Sequence, residues 1–246
     1  MSERAQAYPR SLRHARVVHD LGAAIVRGAL LPGDVVPTED QLVGQFGVGR
    51  SALREGVKVL AGKGLLESRT SAGTRVRPRE SWNLLDPDVL QWRFSASTSP
   101  EELQVLADLR VALEPGVARL AAESTDIAAR HEVQAAAARL WATVDEPEQF
   151  VESDLAFHRS IFVASGNELL LYVHDVVSGA LRSIRPLHTH SVAHNRETLP
   201  NHSAVATAIV RGHVRRSEEI MREIVEVARR DALAVGRPGG GDDEGS

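Results

Sequence analysis

Asp154 and His158 stand one helical turn apart in the stretch DLAFHRSIF, so a carboxylate and an imidazole project from one helical face. Val151, Leu155 and Ile161 flank them and read as core. Such a pair either ligates a divalent metal or forms a hydrogen-bonded couple inside an apolar core. His202 carries the same ambiguity, because it shares a helical face with Val205 and Ile209 and points inward with them. Two histidines and one carboxylate suffice for zinc, nickel or iron with coordination positions left open. Arg110, set between Leu106 and Leu113, adds a guanidinium that would grip a small carboxylate through two parallel hydrogen bonds, or pair with Glu114 one turn on.

A different chemistry gathers near the N-terminus. In FGVGRSALREGVKVLAGKGLLE a tight Gly-Val turn leads into a helix with Val57 and Leu60 facing inward and Arg50, Ser51 and Arg54 facing outward near its start. The free amides of a helix start suit a phosphate, and arginine forks match guanine O6 and N7 in the major groove. The following ESRTSAGTRVRP reads as a basic hairpin with Arg69, Arg75 and Arg77 around Gly73, whose missing side chain lets the backbone approach a duplex.

These groups need elements to position them. Periodicity predicts helices at 12–28, 39–46 and 50–63 and a hairpin at 65–77. Pro32-Gly33-Asp34 separates the first two helices, and Thr38-Glu39-Asp40-Gln41 is a capping box at the start of the second. Pro78, Pro87 and the cluster SASTS surround WNLLDPDVLQWRF, which marks residues 79–99 as a linker with a short helix begun by Asp86-Pro87. From Pro100 to about Val235 a period of 3.6 residues runs almost throughout, which implies an all-helical bundle of about six helices. His188, His190 and His194 fall in the polar HTHSVAHNRETLPNH, read as a solvated loop. The tail GRPGGGDDEGS, residues 236–246, buries too little apolar area to order itself.

Composition bounds the function. A chain of 246 residues with 43% hydrophobic content supports two folded domains. The absence of cysteine excludes disulfides and thiolate metal sites and fits a reducing compartment. The N-terminal MSERAQAYPRSLRHAR has no apolar stretch of a signal peptide, and no run approaches the roughly 18 apolar residues of a membrane span, so the expectation is a cytoplasmic protein with no membrane partner. Residues 1–78 hold 12 Lys or Arg against 7 Asp or Glu, a net +5, while the rest holds 17 against 26, a net −9. A basic head on an acidic body directs the head alone at a polyanion. No phosphate-binding glycine loop, nucleophile elbow or motif-placed general base is found, which argues against catalysis.

The segment LGAAIVRGALLPGDVVPTEDQLVGQFGVGRSALREGVKVLAGKGLLESRTSAGTRV resembles the winged helix-turn-helix of GntR-family transcription regulators. Its landmarks are PGD at 32–34, PTE at 37–39, FGV at 46–48, R-x-x-x-R-E at 50–55, L-x-x-x-G-L at 60–65 and Gly73-Thr74. The resemblance implies a mainly α chain: a winged helix-turn-helix of three helices and a β-hairpin wing in 1–78, joined to an all-α bundle in 100–235. It implies operator contacts by Arg50, Ser51 and Arg54, with Thr38 and Arg75 beside them and Gly73 at the wing tip. Many members carry Arg where this chain has Asp40, and an acid there is repelled by phosphate.

The second half, through LADLRVALEPGVARLAAE, DLAFHRSIFVASGNELL and NHSAVATAIVRGH, is similar to the FadR-like (FCD) branch, whose bundle encloses a pocket for a small carboxylate. WNLLDPDVLQW is similar to the linker of members that respond to sugar acids. That branch implies a divalent metal held by Asp154, His158 and His202, but the fourth ligand position falls on Ile224, which cannot coordinate. Arg110, His158 and His202 are the implied effector-binding residues. The expected function is a homodimeric repressor of a sugar-acid or organic-acid operon, released from its double-stranded operator by a small carboxylate. Two rival readings remain at this level: a metal-dependent enzyme using the Asp/His/His set, and an architectural DNA-binding dimer without effector.

Overall fold

The computed structural model describes residues 7–12, 14–69, 73–94, 99–184 and 192–235. The chain divides into two compact units, Met1–Ser95 and Ala96–Ser246. In the first, α1 (Ala15–Val26), α2 (Glu39–Phe46) and α3 (Arg50–Gly62) precede a hairpin of β1 (Leu66–Arg69) and β2 (Gly73–Val76). The hairpin pairs Leu66 with Val76 and Arg69 with Gly73 in antiparallel register, and its tip at 70–72 lies outside the described residues. Val17, Leu21, Leu53, Leu60, Leu65 and Trp82 are among the buried side chains that bring helices and hairpin onto one core. The inward stripe of α3 is Leu53, Gly56 and Leu60, while Val57, expected to face inward, is half-buried. It sits one position round the helix, where the surface begins.

The helix expected within the linker forms as α4 (Pro87–Phe94), with Asp86 Oδ1 accepting the amides of Asp88 and Val89. It packs on α1 within the first unit. Trp92 lies so close over Gly22 that a Cβ there would stand 2.4 Å from the indole. Lys63, the C-cap residue that follows α3, reaches Asp86 at 2.8 Å and Asp88 at 2.7 Å, and Asp88 also accepts the Tyr8 amide. Burial alone would lower the Lys63 pKa, but the two carboxylates hold it above the ordinary lysine value. A buried ammonium between two acids joins the end of α3 to the start of α4.

The second unit is helical throughout its described residues: α5 (Pro100–Glu123), α6 (Ile127–Thr143), α7 (Pro147–Ala164), α8 (Glu168–Ile184), α9 (Val192–Arg211) and α10 (Val214–Val235). Ser99 caps α5 by accepting the Glu102 amide, and Pro100 fills the first helical position, where no amide is needed. α5 lies along α10, and α6 packs against both α7 and α9. Val117, Leu140, Phe157, Ile161, Leu199 and Ile209 belong to the core they share. None of the described helices is long and apolar enough to cross a membrane.

One expectation is corrected here. α9 begins at Val192, so His194 is helical and not part of a loop, while His188 and His190 lie outside the described residues, as does the tail 236–246. Pro200 removes a single helical hydrogen bond inside α9. Burial of Asn195, Leu199 and His202 on the same helix face offsets that loss.

His174 of α8 is buried against Phe162 at 4.6 Å between ring centroids, with its Nδ1 3.5 Å from Asp175 Oδ1. Burial pushes its pKa down from the ordinary 6.5 to about 4. As pH falls from 6.5 towards 4 the unfolded chain binds a proton that the folded chain refuses, so stability drops across that window. The loss is on the order of 3 kcal/mol. His174→Phe is expected to flatten this part of the stability–pH curve, read from denaturant midpoints at several pH values; an unaltered slope would assign the loss to another group.

Candidate functional site

The structure places the two predicted chemistries in separate units. In the first, α2 ends at Gly47 with φ +64, a left-handed conformation that glycine adopts without a Cβ penalty, and Val48 and Gly49 carry the chain into α3. Arg50, Ser51 and Arg54 are all exposed at the start of α3. Thr38 makes the expected capping box: its hydroxyl accepts the Gln41 amide, and Gln41 Oε1 accepts the Thr38 amide at 2.9 Å. Thr38, Arg54 and Gly73 line one groove between α2, α3 and the hairpin, joined by Lys58 and Ser68.

Arg75 is turned elsewhere. Its Nη1 donates to the Gly33 carbonyl at 3.0 Å and ties the hairpin to the turn before α2. Neither Arg50 nor Arg54 is loose. Arg50 Nη2 reaches Asp40 Oδ1 at 2.8 Å, and Arg54 forks onto Glu39 with Nε to Oε1 at 3.0 Å and Nη2 to Oε2 at 3.1 Å. The hydrogen bonds from Arg54 hold the Glu39 carboxyl below its ordinary value.

In the second unit, a cavity of about 220 Å³ is lined by residues of α5, α7, α9 and α10. Arg110, Asp154, His158 and His202 share it, so the sequence-predicted group is brought together, and Ile224 stands in the same wall. Asp154, His158 and His202 each offer a ligand atom within 4.8 Å of the others, and all three are buried. Arg110 forms the ion pair with Glu114, its Nε donating to Oε1 at 2.6 Å, and also lines the cavity. Its Nη2 lies 3.3 Å from His158 Nε2.

Glu114 sets the orientation of this group. Its Oε2 lies 2.8 Å from His158 Nδ1, and on the other side of the ring Arg110 Nη2, which can only donate, faces Nε2, so Nε2 carries the lone pair. His202 repeats the arrangement, with Nδ1 donating to the Thr198 carbonyl at 2.9 Å. The two Nε2 atoms then face one oxygen, Asp154 Oδ1, at 3.7 Å from His158 and 3.5 Å from His202. Those separations exceed ordinary N–H···O bonds. Two imidazole lone pairs and a carboxylate facing each other at such spacing form a donor set that fits a divalent cation. Burial would raise the Glu114 pKa, but the adjoining Arg110 guanidinium, by its charge and its hydrogen bonds, holds it well below the carboxylate range.

A family model described as bacterial regulatory proteins, gntR family, matches residues 13–76, and one described as FCD domain matches residues 105–227. The chain belongs to the GntR family. This GntR-family chain is 31% identical to the galactonate operon transcriptional repressor of Escherichia coli K12 over 195 residues, which are 79% of this chain and 85% of that relative. It is 31% identical over 222 residues to the Glc operon transcriptional activator of the same strain, covering 88% and 83%. It is 30% identical over 204 residues to the regulator LutR of Bacillus subtilis 168, covering 80% and 90%. A solved structure from work on Lar, which controls the Listeria monocytogenes agr system, matches with a TM-score of 0.62 at 13% identity over 93% of this chain and 99% of that one, a likeness of fold. Like its relatives, this GntR-family chain is a ligand-responsive, DNA-binding transcription regulator and not an enzyme.

Sequence reasoning put His194 in a solvated loop and passed over Asn195, Thr198 and Asn201 on α9 and Asp231 on α10, and all five line the cavity. His194 Nε2 is 3.0 Å from Asp231 Oδ2. Their signal was present, since 194/195, 198 and 201/202 recur at helical spacing, but the polar run before Pro200 hid it. Glu114 was seen only as a partner for Arg110. Glu114→Ala leaves a buried guanidinium without its acid, and the bundle is expected to lose about 3 to 5 kcal/mol of stability in denaturant titration. A loss below about 1 kcal/mol would mean that water or a neighbouring group replaces the carboxylate.

Proposed function

We propose that this chain is a homodimeric repressor of an operon for sugar-acid or organic-acid breakdown, released from its operator by a small carboxylate. The observation that carries the reading is the cavity with Arg110 and two inward imidazole nitrogens at one pole. Relatives named for galactonate and Glc operons support the class of effector, although one is a repressor and the other an activator. Arg50, Ser51 and Arg54 read base edges, Thr38 and Gly73 sit against the backbone, and Arg75 holds the hairpin in place for that contact. Two such heads about 34 Å apart would meet successive major-groove faces of a near-palindromic site.

Asp154, His158 and His202 are the residues that would hold a divalent metal such as zinc or nickel. When bound, such an ion supplies open positions and positive charge for an effector carboxylate. Arg110 orients the same carboxylate, and Glu114 keeps both Arg110 and His158 in position. If the acid prefers one arrangement of the dimer by about 3 kcal/mol, operator affinity shifts on the order of a hundredfold.

Replacing Arg50 or Arg54 by Ala is expected to weaken binding to a duplex selected from a random pool by about 1 to 3 kcal/mol and to relax preference at one position. Unaltered binding in a gel-shift titration would reject the base-reading role. For the cavity, a thermal-shift screen of sugar acids and hydroxy acids with and without zinc or nickel is expected to raise Tm for the wild type. His158→Ala should lose both the metal, by elemental analysis, and that rise. A wild-type chain that binds no metal and gains no stability from any acid would return these histidines to the core.

A further inference from the structure

We propose that Asp40 is a specificity-determining residue of the DNA-reading face: it holds Arg50 until a guanine edge takes its place, and it disfavours duplex that offers only phosphate. The inference rests on α3 being the recognition helix and adds a filter to that reading. Asp40 lies in the first turn of α2, and its side chain is 75% exposed while bonded to Arg50 across 10 residues of chain. Beside it Glu39 takes Arg54 in a two-point fork across 15 residues. Both guanidiniums that α3 presents are therefore aimed by carboxylates of α2.

A carboxylate gives a guanidinium two acceptors side by side, and guanine O6 and N7 do the same in the major groove. Exchanging one for the other needs little rearrangement, and an exposed pair costs little to open. A phosphate also offers acceptors, but it brings its charge up to Asp40, which stays in place once Arg50 has left. Glu39 and Asp40 also put two negative charges in the first turn of α2, the helix end that would otherwise attract a phosphate. Phosphate attraction supplies the sequence-independent share of binding, so Asp40 subtracts mainly from that share. The effect is lower affinity for random DNA at little expense to the operator.

The test uses the full-length chain and two duplexes of equal length and composition, one selected from a random pool by the wild type and one scrambled. Fluorescence anisotropy over a range of salt compares wild type, Asp40→Asn and Asp20→Asn. Asp20 is an exposed residue of α1 paired with Arg16, and its change removes the same charge at another place. Asp40→Asn is expected to tighten the scrambled duplex on the order of fivefold, to move the selected duplex by less than about twofold, and to steepen the scrambled duplex's salt dependence by about one ion. Equal tightening on both duplexes, an equal effect from Asp20→Asn, or no change overturns the proposal. Failure of the wild type to select any duplex is a separate result, seen without any variant, and it removes the DNA-reading function along with the filter.

Discussion

A carboxylate buried in a helical bundle is tolerated only when its charge is answered at close range, and Glu114 is the residue on which the second unit's chemistry depends. It is 4% exposed and meets both Arg110 and His158. Without it, the guanidinium would be a buried charge lacking its counter-charge, and the Arg110 N–H that faces His158 Nε2 would lose its anchor. The Arg110–Glu114 pair that steadies the bundle also holds a guanidinium N–H against His158 Nε2. On the proposed reading, structural and functional roles are one arrangement here. An ion pair with Glu114 therefore does not exclude the proposed role of Arg110 as an effector anchor.

The first unit uses charge under different physics. Arg50 and Arg54 and their acids stand in solvent, with Arg50 67% and Arg54 63% exposed, so the pairs add little stability and open at little cost. Rigidity comes instead from groups behind them. Lys63 between Asp86 and Asp88 is nearly enclosed, and Trp92 seated on Gly22 fixes α4 against α1. An exposed, exchangeable face on a stiff support suits a surface that must trade protein partners for nucleic-acid ones.

Much of this was legible in the residues because it is local. The capping box at Thr38, the turn through Gly47, the Asp86 cap and the Asp154–His158 spacing are all relations within one turn of chain, and all are found as read. What could not be read lies across space. Nothing in the spacing says that Asp40 meets Arg50, or that Glu114 joins Arg110 to His158, because periodicity tells which face is buried and not what packs against it. The start of α9 was misread for a related reason. Its polar residues and Pro200 look like loop when read alone, yet His194, Asn195, Thr198 and Asn201 line a cavity whose other walls come from α5, α7 and α10.

Charge balance links the site's parts. At the pole of the cavity Glu114 and Asp154 bring two carboxylates against one guanidinium, Arg110, which leaves a surplus of negative charge. A small acid entering such a pole meets repulsion unless positive charge accompanies it. On the proposed reading, a divalent ion held by the three ligands offsets that surplus, so an incoming carboxylate meets positive charge. Ile224 fits this account, because a fourth protein ligand would occupy a position that the acid could otherwise take. With Val227 and Ala228 it instead gives that wall an apolar surface, against which the carbon chain of a small acid can lie while its polar groups face α9.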